Sequence, residues 1–448
     1  MNTIASLQAQ FASGKNSVAA LVERQIARVA DSVGEGARAF LSLDHAAVRL
    51  AAESAHQHFA SGNIRPLEGV TISIKDLFDV KGEVTSAGST VLRTRPAALE
   101  DSPVVARLRD AGAIIFGRNN MVEFAYSGVG INPHFGTPRN VWGRTADGGG
   151  RVPGGSSSGG GVAVADGMAV AALGSDTGGS VRLPAALNGV CGFKPTAVRV
   201  PMVGAIPLSV THDSVGPIAQ TVSCCARLDA VLAGETYSPA PLRTLKGVRL
   251  LKPTALIWRE LDPEVETSVN AAVERLRSEG AEIVEAPLAL LEELFEQPGV
   301  IAAEALDWHN ANINVAGVGY DPRVWLRMQA GRDVTRGQYS AAIAYRRFWI
   351  DRMNIALTGF DAVICPTVAC IAPEIAPLIA SDALFFKINT RILRNTAWVN
   401  FLDGCALTMP CHKPGDAPVG LQLVGRHGQD HAILALGLAY EAALSAAN

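Results

Sequence analysis

The feature that most restricts how this chain can fold is a repeated unit: an amphipathic helix, a glycine, then a short apolar strand. Ser102-Pro103 reads as a helix cap with proline at the first helical position. Val104, Val105 and Leu108 carry that helix to Gly112, and the strand Ala113–Phe116 follows at once. The unit recurs from Pro263 to Gly280, leading into Ala281–Val284. Alternation over residues 69–74 and short apolar runs at 361–364 and 419–424 predict further strands, with a last helix from about Asp430. Near the N-terminus, Val18, Leu21, Val22, Ile26 and Val29 form one helical stripe. Gly161–Gly174, broken by Asp166, reads as a buried helix. Helices alternating with short apolar strands imply an α/β fold: a large mixed, mostly parallel-type central sheet covered by helices on both faces. No tandem repeat or Pro/Ser-rich linker divides the chain, so residues 1–448 are expected to form a single domain. Within it, 1–65 supply N-terminal helices, and about 225–350, richer in charge, a mainly helical substrate-side region.

Composition narrows the function. With 39 basic against 42 acidic residues the net charge is −3, without the basic excess that nucleic acid or an anionic membrane would require. No apolar run reaches the ~18 residues of a membrane helix, and the first residues lack the pattern of a secretory signal, so a cytoplasmic setting is expected. Seven cysteines without CxxC spacing read as buried thiols, not as disulfides or a zinc site. The nine histidines form no HExxH or HxH pattern, so no metal is expected.

Chemistry concentrates in three segments. Residues 143–161 hold nine glycines in nineteen, including Gly154-Gly155-Ser156-Ser157-Ser158-Gly159-Gly160. The second segment is Gly174-Ser175-Asp176-Thr177-Gly178-Gly179-Ser180-Val181-Arg182-Leu183-Pro184, and the third is Ser73-Ile74-Lys75-Asp76 at a strand end. Glycines let successive backbone N–H groups converge on one point, the material of an oxyanion hole, and make Ser180 a candidate nucleophile. A serine hydroxyl needs a base. Lysine serves once burial has lowered its pKa, and the serine run would relay the proton from Ser180 to Lys75. Rival patterns fail. Gly155–Gly159 matches GxSxG, which would make Ser157 an esterase nucleophile, but no strand leads into it. Phosphate-loop motifs are absent, and Asp176-Thr177-Gly178 has no second copy to form an aspartic dyad.

These segments together resemble the amidase signature family, serine amidohydrolases with a Ser–cis-Ser–Lys triad. Ser180 follows Ser156 by 24 positions, the family spacing. TISIKDLFDV, GAIIFGRNNMVEFAYSG, and the later CPT, MPC and PVGLQLVGR also resemble family segments, so the likeness is strong over about 65–220, looser over 360–445 and absent over 225–350. The resemblance implies Ser180 as nucleophile, Ser156 as bridging serine after a cis bond from Gly155, and Lys75 as base. It implies an oxyanion hole from the N–H groups of Thr177, Gly178, Gly179 and Ser180, supported by Ser157, Asp176 and Arg182. Asn119, Met121, Tyr126 and Ser127 would border the substrate pocket. Asn119 and Val141 depart from the commoner threonine and proline. Trp308, Trp325 and Trp349, in the divergent region, are candidates for an apolar pocket wall. The implied reaction needs no cofactor. Its substrate would be a small-molecule amide or carbamate, with aryl amides and esters sharing the chemistry, and the protein would act as a monomer or homodimer. Two alternatives stand beside it: a glutamine-hydrolysing protein like the A subunit of glutamyl-tRNA amidotransferase, working with a partner, and a non-catalytic relative.

Overall fold

Eleven strands of three to six residues form one mixed sheet in the computed structural model, which describes residues 3–238, 243–296, 299–313 and 317–445. They are β1 (Phe40–Ser42), β2 (Thr71–Lys75), β3 (Ile114–Asn119), β4 (Ala171–Asp176), β5 (Cys191–Lys194), β6 (Ser214–Ala219), β7 (Arg249–Pro253), β8 (Glu282–Ala286), β9 (Ala362–Pro366), β10 (Cys405–Pro410) and β11 (Gly420–Gly425). Their spatial order is β1-β3-β2-β4-β6-β5-β10-β11-β9-β7-β8. Parallel pairing is confined to two blocks, β3-β2-β4 and β9-β7-β8. Six of the ten neighbour pairs are antiparallel. That is a smaller parallel share than the sequence suggested. The reason lies in the connections, since strands joined by short links such as 411–419 between β10 and β11 pair antiparallel, whereas parallel neighbours need a crossover.

Side chains alternate between two buried faces. Ile72, Ile74, Leu173, Leu407, Leu421 and Ile364 share one large apolar cluster with the helices Val222–Ala233 and Asp430–Ser445. Ala172 packs with Val164 and Ala185 in a separate cluster on the other face, and Ala406, Val424 and Val363 pack there with Trp349 and Trp398. The strands are therefore buried on both sides, which is why they read as continuous apolar runs.

The stretch 161–174 is not one helix. The helix Ser158–Ala165 ends at Asp166, Gly167 takes a left-handed φ of +67°, and β4 starts at Ala171. Asp166 and Gly167 act together as a stop, and the apolar residues beyond them satisfy a strand as readily as a helix. Residues 4–61 are largely helical but contribute β1 at the sheet edge, and the region 225–350 adds β7 and β8 beside its helices.

Candidate active site

Strand β2 delivers Lys75 to a site with 1% exposure. Its neighbour Asp76, just past the end of the strand, accepts from Ser86, the Gly88 N–H (3.0 Å) and Arg118 (3.3 Å), and so belongs to a different network. Lys75 Nζ lies 2.7 Å from Ser156 Oγ and 2.8 Å from Ser175 Oγ, with the Ser175 carbonyl at 3.4 Å. Burial lowers its pKa to about 7, against the opposing pull of the Asp176 and Asp213 carboxylates. A neutral amine has two hydrogens and one lone pair. The Ser175 oxygens can take the hydrogens, which leaves the lone pair for the Ser156 hydroxyl.

The glycine tract brings Ser156 there. The Gly155–Ser156 peptide is cis. Gly155 N–H donates to Gly128 O (2.8 Å), and Ser156 O accepts from Val122 N–H (3.1 Å). A Cβ on Gly155 would come 2.8 Å from the backbone nitrogen of Gly130, so no larger residue fits that crossing. Ser157 N–H donates to Ser180 O at 3.2 Å and the Ser157 hydroxyl faces Ser175 O at 3.5 Å, which ties the two serine segments together.

Beyond β4 the chain turns through Thr177–Ser180 into the short helix Arg182–Leu187. Gly179, at φ +133°, makes the turn possible; a Cβ there would sit 2.2 Å from Thr396 Oγ1. The turn is organised by Asp176, which accepts from Gly179 N–H (2.8 Å), Val181 N–H (3.1 Å) and, in a forked pair, Arg182 Nε (3.0 Å) and Nη2 (2.8 Å). Arg182 in turn reaches Gln422, Asn400 and Thr396 O. Burial opposes ionisation of Asp176, but Arg182, Lys194 and Asn400 together hold its carboxyl well below the usual range. One of the four expected oxyanion donors is already engaged within the protein: the Gly179 N–H donates to the Asp176 carboxylate at 2.8 Å. The N–H groups of Thr177, Gly178 and Ser180 have no acceptor among the described residues. Asp213 braces the turn from outside, accepting from Thr177 Oγ1 (2.5 Å) and from the N–H groups of Leu208 (2.9 Å) and Ser209 (3.0 Å), and burial raises its pKa to about 6.

A cavity of about 360 Å³ opens at Thr177. Leu393 and Ala397 of its wall pack over Gly178, and Leu256, Ile257, Trp398 and Phe401 make most of the remainder apolar. Two larger cavities, of about 570 and 580 Å³, contain none of Lys75, Ser156, Thr177 or Ser180.

The four residues expected at the pocket do not line this cavity. Asn119 pairs with Lys75 across β2 and β3, and its amide donates to Ala39 O (3.4 Å). Met121 is buried in the core beside Gly88. Tyr126 stacks on Arg327, and Ser127 donates to Asn389 Oδ1 (3.0 Å), so both stand behind residues that do line it. The expected tryptophans lie elsewhere too. Trp349 is fully buried, its indole N–H on Leu290 O (2.9 Å), while Trp308 and Trp325 pack against His309 and Tyr320. Trp398 is the indole at the cavity. Sequence reasoning missed Ser175, although it lies inside the recognised motif, and Asp213, which carries no local signal. Among the described residues no group of three or more His, Cys, Asp or Glu is arranged to hold a metal ion, and no helix is long and apolar enough to cross a membrane.

The family profile described as Amidase matches residues 20–434. The chain is 36% identical to the 2-amino-5-chloromuconic acid deaminase of Comamonas testosteroni, over 90% of this chain and 88% of that protein. It is 33% identical to the A subunit of the glutamyl-tRNA(Gln) amidotransferase of Roseiflexus castenholzii, over 98% of this chain and 95% of that protein. A crystal structure of an amidase superposes with a TM-score of 0.86 at 32% identity, covering both chains completely. The chain belongs to the amidase family, whose members hydrolyse carbon–nitrogen bonds other than peptide bonds.

Proposed function

We propose that this protein is a serine amidohydrolase that cleaves the C–N bond of small-molecule amides through an acyl-enzyme on Ser180. The observation that carries the reading is the 2.7 Å contact between Lys75 Nζ and Ser156 Oγ, within a buried site that lowers the lysine pKa to about 7, so that a large share of it is neutral near that pH. Lys75 takes the Ser156 proton as Ser156 takes that of Ser180, and the Ser180 oxygen attacks the carbonyl. The N–H groups of Thr177, Gly178 and Ser180 stabilise the oxyanion. The relay returns a proton to the leaving nitrogen, and water then releases the acid. Carbamates and esters pass through the same acyl transfer. The reading includes a monomer or homodimer in the cytoplasm, requiring no metal.

Ser180→Ala tests the assignment. Turnover of short, long and aromatic amides and labelling by a fluorophosphonate should both vanish, with the circular-dichroism spectrum unchanged. Retention of either in a folded variant would remove Ser180 from the reaction.

The likeness to the amidotransferase component favours one second reading, hydrolysis of glutamine with transfer of ammonia to a partner protein. Glutaminase activity exceeding that on all other amides, together with co-purification of a tRNA-binding partner, would establish it over the stand-alone hydrolase.

A further inference from the structure

Two polar side chains in the largely apolar 360 Å³ cavity keep N–H groups that no acceptor among the described residues takes up. Asn389, on the helix Asp382–Leu393, is 4% exposed. Its Oδ1 accepts from Ser127 Oγ (3.0 Å) and from the Gly128 N–H (2.9 Å), which fixes the orientation of the amide. Its Nδ2 has no partner among the described residues. Arg327, on the helix Pro322–Gln329, lies flat over the Tyr126 ring and gives Nη1 to Tyr126 O. Its Nε and Nη2 donate to nothing among the described residues, and no carboxylate pairs with it there. Both side chains are thus anchored on the loop 126–128, at one region of the cavity wall. A second cation, Arg394, lines the cavity too, but its guanidinium already donates to Arg259 O (2.7 Å) and Asn395 (3.1 Å). His212, whose pKa burial lowers to about 3, contributes no charge near neutrality. No aspartate or glutamate is among the described lining residues.

An apolar chamber with an unpaired guanidinium and an oriented amide donor fits a ligand with a hydrocarbon body and an anionic, planar acceptor at its end. A neutral substrate would leave these donors desolvated and unpaired, which costs binding. We propose that the natural substrate is an amide of a dicarboxylic acid, with the free carboxylate held by Arg327 and Asn389 while the amide carbonyl faces Thr177–Ser180. The inference rests on the amidohydrolase reading and names its substrate class. Placing the carboxylate on the acyl half lets the same contacts serve acylation and deacylation, since the amine has departed before water attacks.

The test compares mono-anilides of glutaric, adipic and pimelic acid with anilides of unbranched fatty acids of matched length. The best diacid anilide should exceed its neutral counterpart in kcat/KM by about 10- to 100-fold. Arg327→Met should bring that ratio close to one, and Asn389→Asp, which keeps the shape and adds a repelling charge, should bring it to one or below. Fluorophosphonate labelling of Ser180 reports in each variant that the site is assembled. A wild-type ratio near one, or a ratio that both labelled variants leave intact, would overturn the carboxylate assignment while leaving the hydrolase in place. Hydrolysis of neither series, with no labelling of Ser180, would bring down the parent reading and this one with it.

Discussion

Lys75 is 1% exposed, with two serine hydroxyls and a carbonyl around its amine and no carboxylate of the described residues in contact. Its charge is therefore the quantity that pH controls. With the folded pKa lowered to about 7, kcat/KM should rise with pH through that region and level off as the amine becomes fully neutral; a profile falling above pH 6 would contradict a lysine base. Stability carries the same signature. A lysine whose folded pKa lies below its ordinary 10.5 opposes folding most below pH 7, and the penalty fades as pH rises toward 10.5. Lys75→Met should be inactive, and its melting temperature relative to wild type should fall steadily between pH 7 and 10, measured by thermal denaturation. A pH-independent difference would mean that the buried amine is not the titrating group. The nearness of Lys75 to Ser156 was legible because each sits in a short motif of the family, and the proposed role of Ser180 rests on its fixed spacing from Ser156. Ser175 was not, because nothing in a serine's sequence neighbours tells which hydroxyl a distant amine will meet.

At the scale of elements, the turn between β4 and the helix Arg182–Leu187 is held by a fully buried ion pair whose outer donors and acceptors come from residues about 215–240 positions away. Arg182→Met leaves the Asp176 charge buried with fewer partners, and a loss of about 3–5 kcal/mol is expected in chemical denaturation, typical of breaking such a pair from one side. A loss below 1 kcal/mol would show that Asn400 and the backbone donors suffice. Asp213→Asn, which exchanges one acceptor oxygen for an NH₂ group facing either Thr177 or two backbone N–H donors, should lower kcat by about tenfold with little change in KM, because Asp213 positions the nest without touching substrate. Strands bounded by glycine or proline, such as β3 and β9, could be read from the sequence. Strand β4 could not, since its apolar run continues without a periodicity that separates strand from helix until Asp166-Gly167 is seen as a stop.

Across the whole molecule, a single sheet links Phe40 to Gly425, and the site takes residues from β2, the glycine tract, the turn after β4 and the segment around Asn400. That sharing predicts one unfolding event. Fluorophosphonate labelling and near-ultraviolet circular dichroism should be lost at the same urea concentration, whereas two separated transitions would mark the region 225–350 as an independent unit. The general architecture was legible from the alternation of elements. The cavity was not: its wall comes from helices near 300, 325 and 390 brought together by tertiary packing, and only their apolar periodicity is written locally. The most direct test of the proposed chemistry is to quench a slow ester or anilide substrate during turnover and map the modified peptide by mass spectrometry. The proposal predicts the acyl group on Ser180; turnover with the acyl group on Ser157, or with no covalent species at any time under conditions where deacylation is slowed, would contradict it.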